Sequence, residues 1–376
     1  LYRIILVLLA VVIVGFAVIY TLQQGPSLFV KPPDSERIAF VSNIGGHIDI
    51  WVMKADGTGR LQITNDPAND RFPVWSPNAK EIAFISNRAG ENDQLYVAGW
   101  NGRYVNCLTT TGGVKDMPVW TDDGKEIMFI ASGTVWGVKR MGGKAEQYLP
   151  PKNMPEIVRM SLGLNSPFKY AAWSVGKKVL VFAQQTDLGE VVGVIDSEQF
   201  RELQETSVEG NWEEIWSPTG IILAQSVDVA LSPLGDKVAV GFIGRKGNNG
   251  LLVADTEYGE TTDLFISKDK AASKPSWSPD GKMIAFEMWT IEEGLQDKCI
   301  GIYTISAQGG KPKLVIKGDA RDPSWSPDGK YIVCTLARGD GNRDVWRVNA
   351  SGSSPVNLTK GRGDNSSPVW SPSLKP

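Results

Sequence analysis

The residues able to do chemistry are few, and their spacing does not suit it. His47 is the one histidine among 376 residues. A Ser-His-Asp triad needs an imidazole beside an activated serine, and no G-x-S-x-G nucleophile elbow occurs. A histidine-based metal site needs more ligands than this chain holds. Cys107, Cys299 and Cys334 are too few and too scattered for a disulfide framework or a zinc knuckle, and Cys299 and Cys334 are expected to be buried thiols. Asp340-Gly-Asn342-Arg-Asp344 alternates oxygen ligands as a calcium loop does, but it lacks the twelfth-position Glu. A turn held by side-chain-to-backbone bonds is expected there. Arg362-Gly-Asp364 has the letters of an adhesion tripeptide and reads as the loop before a closing strand. Asn349, Asn357 and Asn365 head N-x-S/T triplets, which matter only in a glycosylating host. Catalytic, cofactor-binding and metal-ligating residues are therefore none, no cofactor is expected, and the chain is expected not to be an enzyme.

The charge balance is near neutral, with 39 Lys and Arg against 42 Asp and Glu. Such a chain lacks the basic field that displaces counterions from phosphate, so nucleic acid is not an expected partner. At 42% hydrophobic it is also too apolar for disorder.

The elements that must position any site are periodic. Compare PVWSPNAKEIAFIS (73–86), PVWTDDGKEIMFIA (118–131), AAWSVGKKVLVFA (171–183), VALSPLGDKVAVGF (229–242), PSWSPDGKMIAFEM (275–288) and PSWSPDGKYIVCTL (323–336), with PVWSPSLKP at 368–376. The aligned positions are Trp75, Trp120, Trp173, Leu231, Trp277, Trp325 and Trp370, spaced by 45, 53, 58, 46, 48 and 45. Each unit reads as four short strands. The first ends at the Trp, and Ser-Pro-Asp-Gly makes a tight turn: Pro presets φ, Asp bonds backbone, Gly accepts φ > 0. Lys-x-Ile-Ala-Phe is the second strand. The third ends on an aromatic (Trp51, Tyr96, Trp136, Tyr303, Trp346), and the fourth ends near a Leu-Thr such as Leu108-Thr109 or Leu358-Thr359. Four antiparallel strands per unit describe a propeller blade.

The chain ends complete one another. Residues 36–64 supply strands two to four of a blade, and 368–371 supply a lone first strand. The expected fold is an all-β, seven-bladed propeller over 36–376, closed by 368–371 pairing into the first blade, which leaves no open edge. Six blades is the alternative, should the weak 171–204 unit be irregular. Trp216-Ser-Pro-Thr-Gly lies only 15 residues before Leu231 and reads as an insertion hairpin. The repeat-phased rings of Trp75, Trp120, Trp173, Trp277, Trp325 and Trp370 are expected to pack between blades.

These units resemble the WD-like propeller repeat of the TolB family, also seen in the propeller domains of tricorn and prolyl-oligopeptidase-type proteases. The match P-x-W-S-P-D-G-K-x-I-A-F at 275–286 carries the resemblance most strongly. It implies the fold, and it implies an envelope role in binding a peptide or protein partner through the central channel. Two departures stand out: an apolar segment occupies the N-terminus, and no hydrolase domain follows the repeats.

That segment is residues 4–22, IILVLLAVVIVGFAVIYTL, uncharged from Ile4 to Leu22. Nineteen residues of helix span about 28 Å, the thickness of a bilayer's hydrocarbon. A single-pass anchor over 1–22 in the lipid bilayer is expected, with a linker over 23–35 and the propeller on the extracytoplasmic, periplasmic side. A cleaved signal peptide, with Gly15 and Ala17 at the small-residue positions, competes with this reading.

Two stretches break the repeat, 149–168 and 202–228. Their unphased apolar residues, together with Trp289, form the candidate partner surface: Met154, Ile157, Met160, Leu162, Leu164, Phe168, Trp212 and Trp216. Trp100 is also out of phase. The expected function is a non-catalytic scaffold or accessory subunit that stabilises a multi-subunit membrane complex, respiratory or photosynthetic, through the helix and the propeller loops. The alternative is the channel-binding envelope module that the resemblance implies.

Overall fold

The computed structural model describes residues 30–90, 92–186, 189–206, 211–212, 216, 218–224, 226–244, 248–291 and 297–373. The expected anchor, with Ile4 and Leu22, lies outside them. Among the described residues no helix is long and apolar enough to cross a membrane.

Seven four-stranded antiparallel sheets form among the described residues, so the chain is a seven-bladed propeller, and the 171–204 unit is part of a full blade. The first strands are Asn365–Trp370, Asp70–Trp75, Lys115–Trp120, Phe168–Ser174, Ser226–Leu231, Lys270–Trp277 and Ala320–Trp325, in blades one to seven. Blade one joins the two ends of the chain. Ile38 pairs with Trp370, Ala39 with Val369 and Val41 with Ser366.

The second strands are buried along their whole length in several blades, as in Arg37–Ser42 and Glu81–Ser86, because neighbouring sheets cover both faces. The core is accordingly divided among the seven junctions. Phe84, Ile82 and Tyr96 of blade two meet Val41 and Val52 of blade one, and Val333 and Val345 of blade seven meet Phe40 and Met53. The aromatic expected to end the third strand sits in its middle instead, opposite the second strand's own ring: Trp51 faces Phe40, Tyr96 faces Phe84 and Tyr303 faces Phe286. A cross-strand ring pair fills the gap to the next sheet better than an end position would.

The repeat-phased tryptophans do more than fill space. The indole Nε1–H of Trp75 donates to the Val369 carbonyl at 3.2 Å, Trp120 to Val74 at 3.2 Å, Trp277 to Ala230 at 2.9 Å and Trp325 to Ser276 at 3.0 Å. In each case the acceptor is the residue just before the aligned position of the preceding blade. Trp370 is buried at the same place, while Trp173 packs on Phe200 with ring centroids 5.1 Å apart.

The turns form as their letters dictate. Ser278 Oγ donates to Asp280 Oδ1 at 2.6 Å and accepts from the Met283 N–H at 2.9 Å, with Gly281 at φ 68°. The Leu-Thr ends are clamps: Thr359 Oγ1 donates to buried Asp344 at 2.7 Å and accepts from the Val345 N–H at 3.0 Å. Thr64 with Asp49 and Thr109 with Gln94 repeat the arrangement. Asp344, part of the calcium-like run, is thus turned into its blade, and Asp340 accepts from the Asn342 N–H at 3.0 Å.

Two further expectations need correction. Thr219–Ala224 is not an insertion hairpin: it is the fourth strand of blade four, paired with Gly189–Asp196. The chain reaches it after the helix Ser197–Glu205, capped by Asp196, and without it the third strand's edge would stay open. The unphased apolar residues are also not all surface. Met154, Leu164, Phe168 and Trp212 are buried between blades three and four with Leu180, Phe182 and Leu203, and Leu162 and Trp216 pack against that cluster. These described residues of the two insertions enlarge one blade junction, covering apolar area beside the half-buried Trp173.

Candidate functional site at the channel mouth

The first strands line a central channel, and a cavity of about 730 Å³ occupies its entrance. One repeat position, three residues before the aligned Trp or Leu, contributes to its wall in every blade. Going round blades two to seven and then blade one, that position holds Phe72, Met117, Tyr170, Asp228, Lys274, Asp322 and Ser367, and all seven line the cavity.

Local backbone explains why these side chains reach the axis. Phe72, Met117, Lys274, Asp322 and Ser367 each precede a proline and have φ between 47° and 56°. At each of them the pairing with the second strand slips, for example between Arg71 and Val74 and between Arg321 and Ser324. The left-handed residue costs about 1 kcal/mol or more in each blade, the kind of strain that collects where a side chain must be re-aimed. Blades four and five lack the proline and the left-handed residue; blade five pairs regularly through Asp228, while in blade four the register shifts between Phe168 and Tyr170.

The ring is chemically two-sided. Phe72, Met117 and Tyr170 form an apolar arc on blades two to four, where burial pushes the Tyr170 phenol up to about 12. Asp228, Lys274 and Asp322 form a charged arc on blades five to seven. Lys274 Nζ lies 3.4 Å from Asp228. Burial pulls its ammonium down, and the attraction of Asp228, Asp322 and Glu287 outweighs that, leaving it above the ordinary lysine value.

Beside the charged arc opens a second cavity, of about 490 Å³, lined by Phe242, Ile291, Trp289 and Glu287 among others. Glu287 is buried. Its carboxylate accepts from Ser273 Oγ at 3.2 Å, from the Trp289 indole at 3.1 Å and from the Asp322 N–H at 2.9 Å. Burial holds the Glu287 carboxyl above the ordinary carboxylate range despite these donors. Arg321 stacks over Trp289 at 4.2 Å and bonds Asp319, which also takes Arg343.

Among the residues singled out from sequence, Trp289 lies in this site. Ile157 and Met160 are 77% and 64% exposed on the short helix Glu156–Ser161, in the connection that begins and ends on the mouth face. Met154, Leu164 and Trp212 are core, while Phe168 reaches both the core and the channel wall. His47 is exposed in a hairpin loop. Cys299 and Cys334 are buried free thiols, pushed by burial to about 11 and about 12. Trp100 lies at the opposite end of blade two, where its indole donates to the Lys31 carbonyl at 2.7 Å and Arg37 stacks on it. The ring itself was missed in the sequence; the available signal was the varied residue before each Pro-x-Trp.

A model of the TolB beta propeller domain, PD40, matches residues 25–219, just over half of the chain. The chain belongs to this family. Individual relatives match over short segments: the Tol-Pal system protein TolB of Anaeromyxobacter dehalogenans is 50% identical over 46 residues, 12% of this chain and 11% of that protein. The uncharacterized peptidase YuxL of Bacillus subtilis is 32% identical over 83 residues, 20% of this chain and 13% of that one. The chain thus matches about a tenth of the length of these curated relatives. Among solved structures, TolB from Acinetobacter baumannii superposes with a TM-score of 0.55 at 16% identity, covering 91% of this chain and 68% of that one. An oligogalacturonate lyase from Vibrio parahaemolyticus gives 0.57 at 10% identity, covering 87% and 86%. At such identities the TolB-like propeller shares a fold with both, and fold does not carry function.

Proposed function

We propose that this chain is a non-catalytic, TolB-like binding module that takes a peptide or a segment of a protein partner at the channel mouth. The observation that carries the reading is the two-sided ring of Phe72, Met117, Tyr170, Asp228, Lys274, Asp322 and Ser367 around the cavity. Five blades repeat a left-handed residue at this position, and Phe72, Met117 and Tyr170 border the cavity while also packing against the blade junctions. In this reading residues 4–22 anchor the module, with the propeller on the extracytoplasmic side. The Trp100–Lys31 bond holds the chain leading from the anchor at the end opposite the mouth, so the mouth faces away from the bilayer.

The test compares partner recovery from source cells by the chain and by a Phe72→Arg/Met117→Arg variant, with both folded by circular dichroism. Loss of a specific partner in the variant supports the module. Equal recovery by the two proteins overturns it.

A second reading, a scaffold subunit of a multi-subunit membrane complex, draws on Ile157 and Met160, whose exposure leaves an apolar patch to cover. Native purification decides it: recovery as a free monomer would sink the scaffold.

A further inference from the structure

We infer that the segment seated in the mouth carries a positively charged side chain beside an apolar one, and that it seats with the charge toward blades five to seven. The inference rests on the binding-module reading and names its ligand.

The charges of the cavity wall decide the sign. Asp116, Glu190, Asp228 and Asp322 face Lys169 and Lys274, so the wall carries two negative charges in excess. The two lysines are already engaged, Lys169 with Glu190 and Lys274 with Asp228. Among the described residues Asp322 makes no ion pair, only feeling Lys274 at a distance, and its carboxylate accepts from the Ser367 N–H at 3.3 Å; Asp116 accepts from the Met117 N–H at 2.7 Å. The guanidinium groups nearby do not reverse this balance. Arg321 and Arg343 share Asp319, and Arg321 is also stacked on Trp289. An anionic guest would have to break one of these pairs, whereas a cationic guest completes Asp322.

The shape fits the same guest. The second cavity runs off the mouth past Phe242, Ile291 and Trp289 to the charged arc. A lysine or arginine stem can lie along that apolar wall with its head at the carboxylates. Across the channel, Phe72, Met117 and Tyr170 offer an apolar seat, and exposed Ile157 and Met160 extend apolar surface on the same face. A segment with adjoining basic and apolar side chains satisfies both arcs at once.

The test is fluorescence anisotropy with the full chain and three short labelled peptides on a Gly-Ser background: one with Leu and Lys, one with Leu and Glu, one with Lys and no Leu. The Leu-Lys peptide is expected to bind about tenfold more tightly than either other, a difference of about 1.4 kcal/mol. Asp228→Asn/Asp322→Asn should remove most of that advantage, as should about 1 M salt, which shortens the Debye length to about 3 Å. Asn tolerates the left-handed backbone at 322, so the variant should fold, as an unchanged melting curve would show. Glu257→Gln, on an exposed turn far from the channel, should change nothing and excludes a general attraction to an acidic protein. Equal or tighter binding of the Leu-Glu peptide overturns the inference and leaves the module standing. Equal binding of the two Lys peptides overturns its apolar half. Binding of none of the three overturns both.

Discussion

Replacing Trp325 by Phe tests whether the propeller ring is stapled by hydrogen bonds or only filled by rings. The Trp325 indole donates to the Ser276 carbonyl of the preceding blade at 3.0 Å and is 9% exposed. Losing that bond costs about 1 kcal/mol net. Trimming an indole to a phenyl in a packed junction costs about another 1 kcal/mol. The expected loss is therefore about 2 kcal/mol. In a chain of this length that lowers the melting temperature by about 2–4 °C. Trp173→Phe serves as the comparison, because Trp173 packs on Phe200 rather than stapling the neighbouring blade, and only the packing part, about 1 kcal/mol, is expected. Urea unfolding of the two variants, followed by tryptophan fluorescence and circular dichroism, measures the difference directly. If the two substitutions cost the same, the bond between blades contributes nothing and the reasoning fails: the position would then need only an aromatic ring.

Three further outcomes are expected. The Glu287 carboxyl is raised in the folded state by burial, so its contribution to stability is fully present below its unfolded value of about 4.3 and is lost as pH rises through the folded value. Glu287→Gln should therefore gain in melting temperature relative to the parent as pH climbs from 4 to 7, and a difference that stays flat with pH refutes this. Lys115 is fully buried and donates to the carbonyls of Asp93 at 2.8 Å and Thr111 at 2.6 Å, so Lys115→Met should destabilise by about 2–4 kcal/mol in urea, and a neutral result refutes the assignment. Removing the chain after Gly363 deletes the strand Asn365–Trp370 and leaves Arg37–Ser42 as an open edge, so the truncated protein should self-associate in size-exclusion chromatography; a monomer with an unchanged melt would contradict the ring closure.

The sequence by itself determined the blade. Ser-Pro-Asp-Gly, Lys-x-Ile-Ala-Phe and the phased tryptophans act through local turn chemistry and through contacts repeated at every junction, so their letters recur at a readable period. The split first blade was legible for the same reason, as a first strand and three later strands found at opposite ends of the chain. Other features depended on the tertiary structure. Met154, Leu164, Phe168 and Trp212 look alike in sequence whether they face a partner or fold back, and only the space beside Trp173 and Phe182 decided that they are core. Thr219–Ala224 carries a repeat-like prelude, yet the open edge of Gly189–Asp196 made it a fourth strand. The mouth was legible least of all. Phe72, Met117, Tyr170, Asp228, Lys274, Asp322 and Ser367 are separated by whole blades and differ in chemistry, so no pattern of residue types marks them. A backbone bulge in each of five blades and the closure of the ring place them around one axis, and only there do an apolar arc and a charged arc become opposite walls of one cavity.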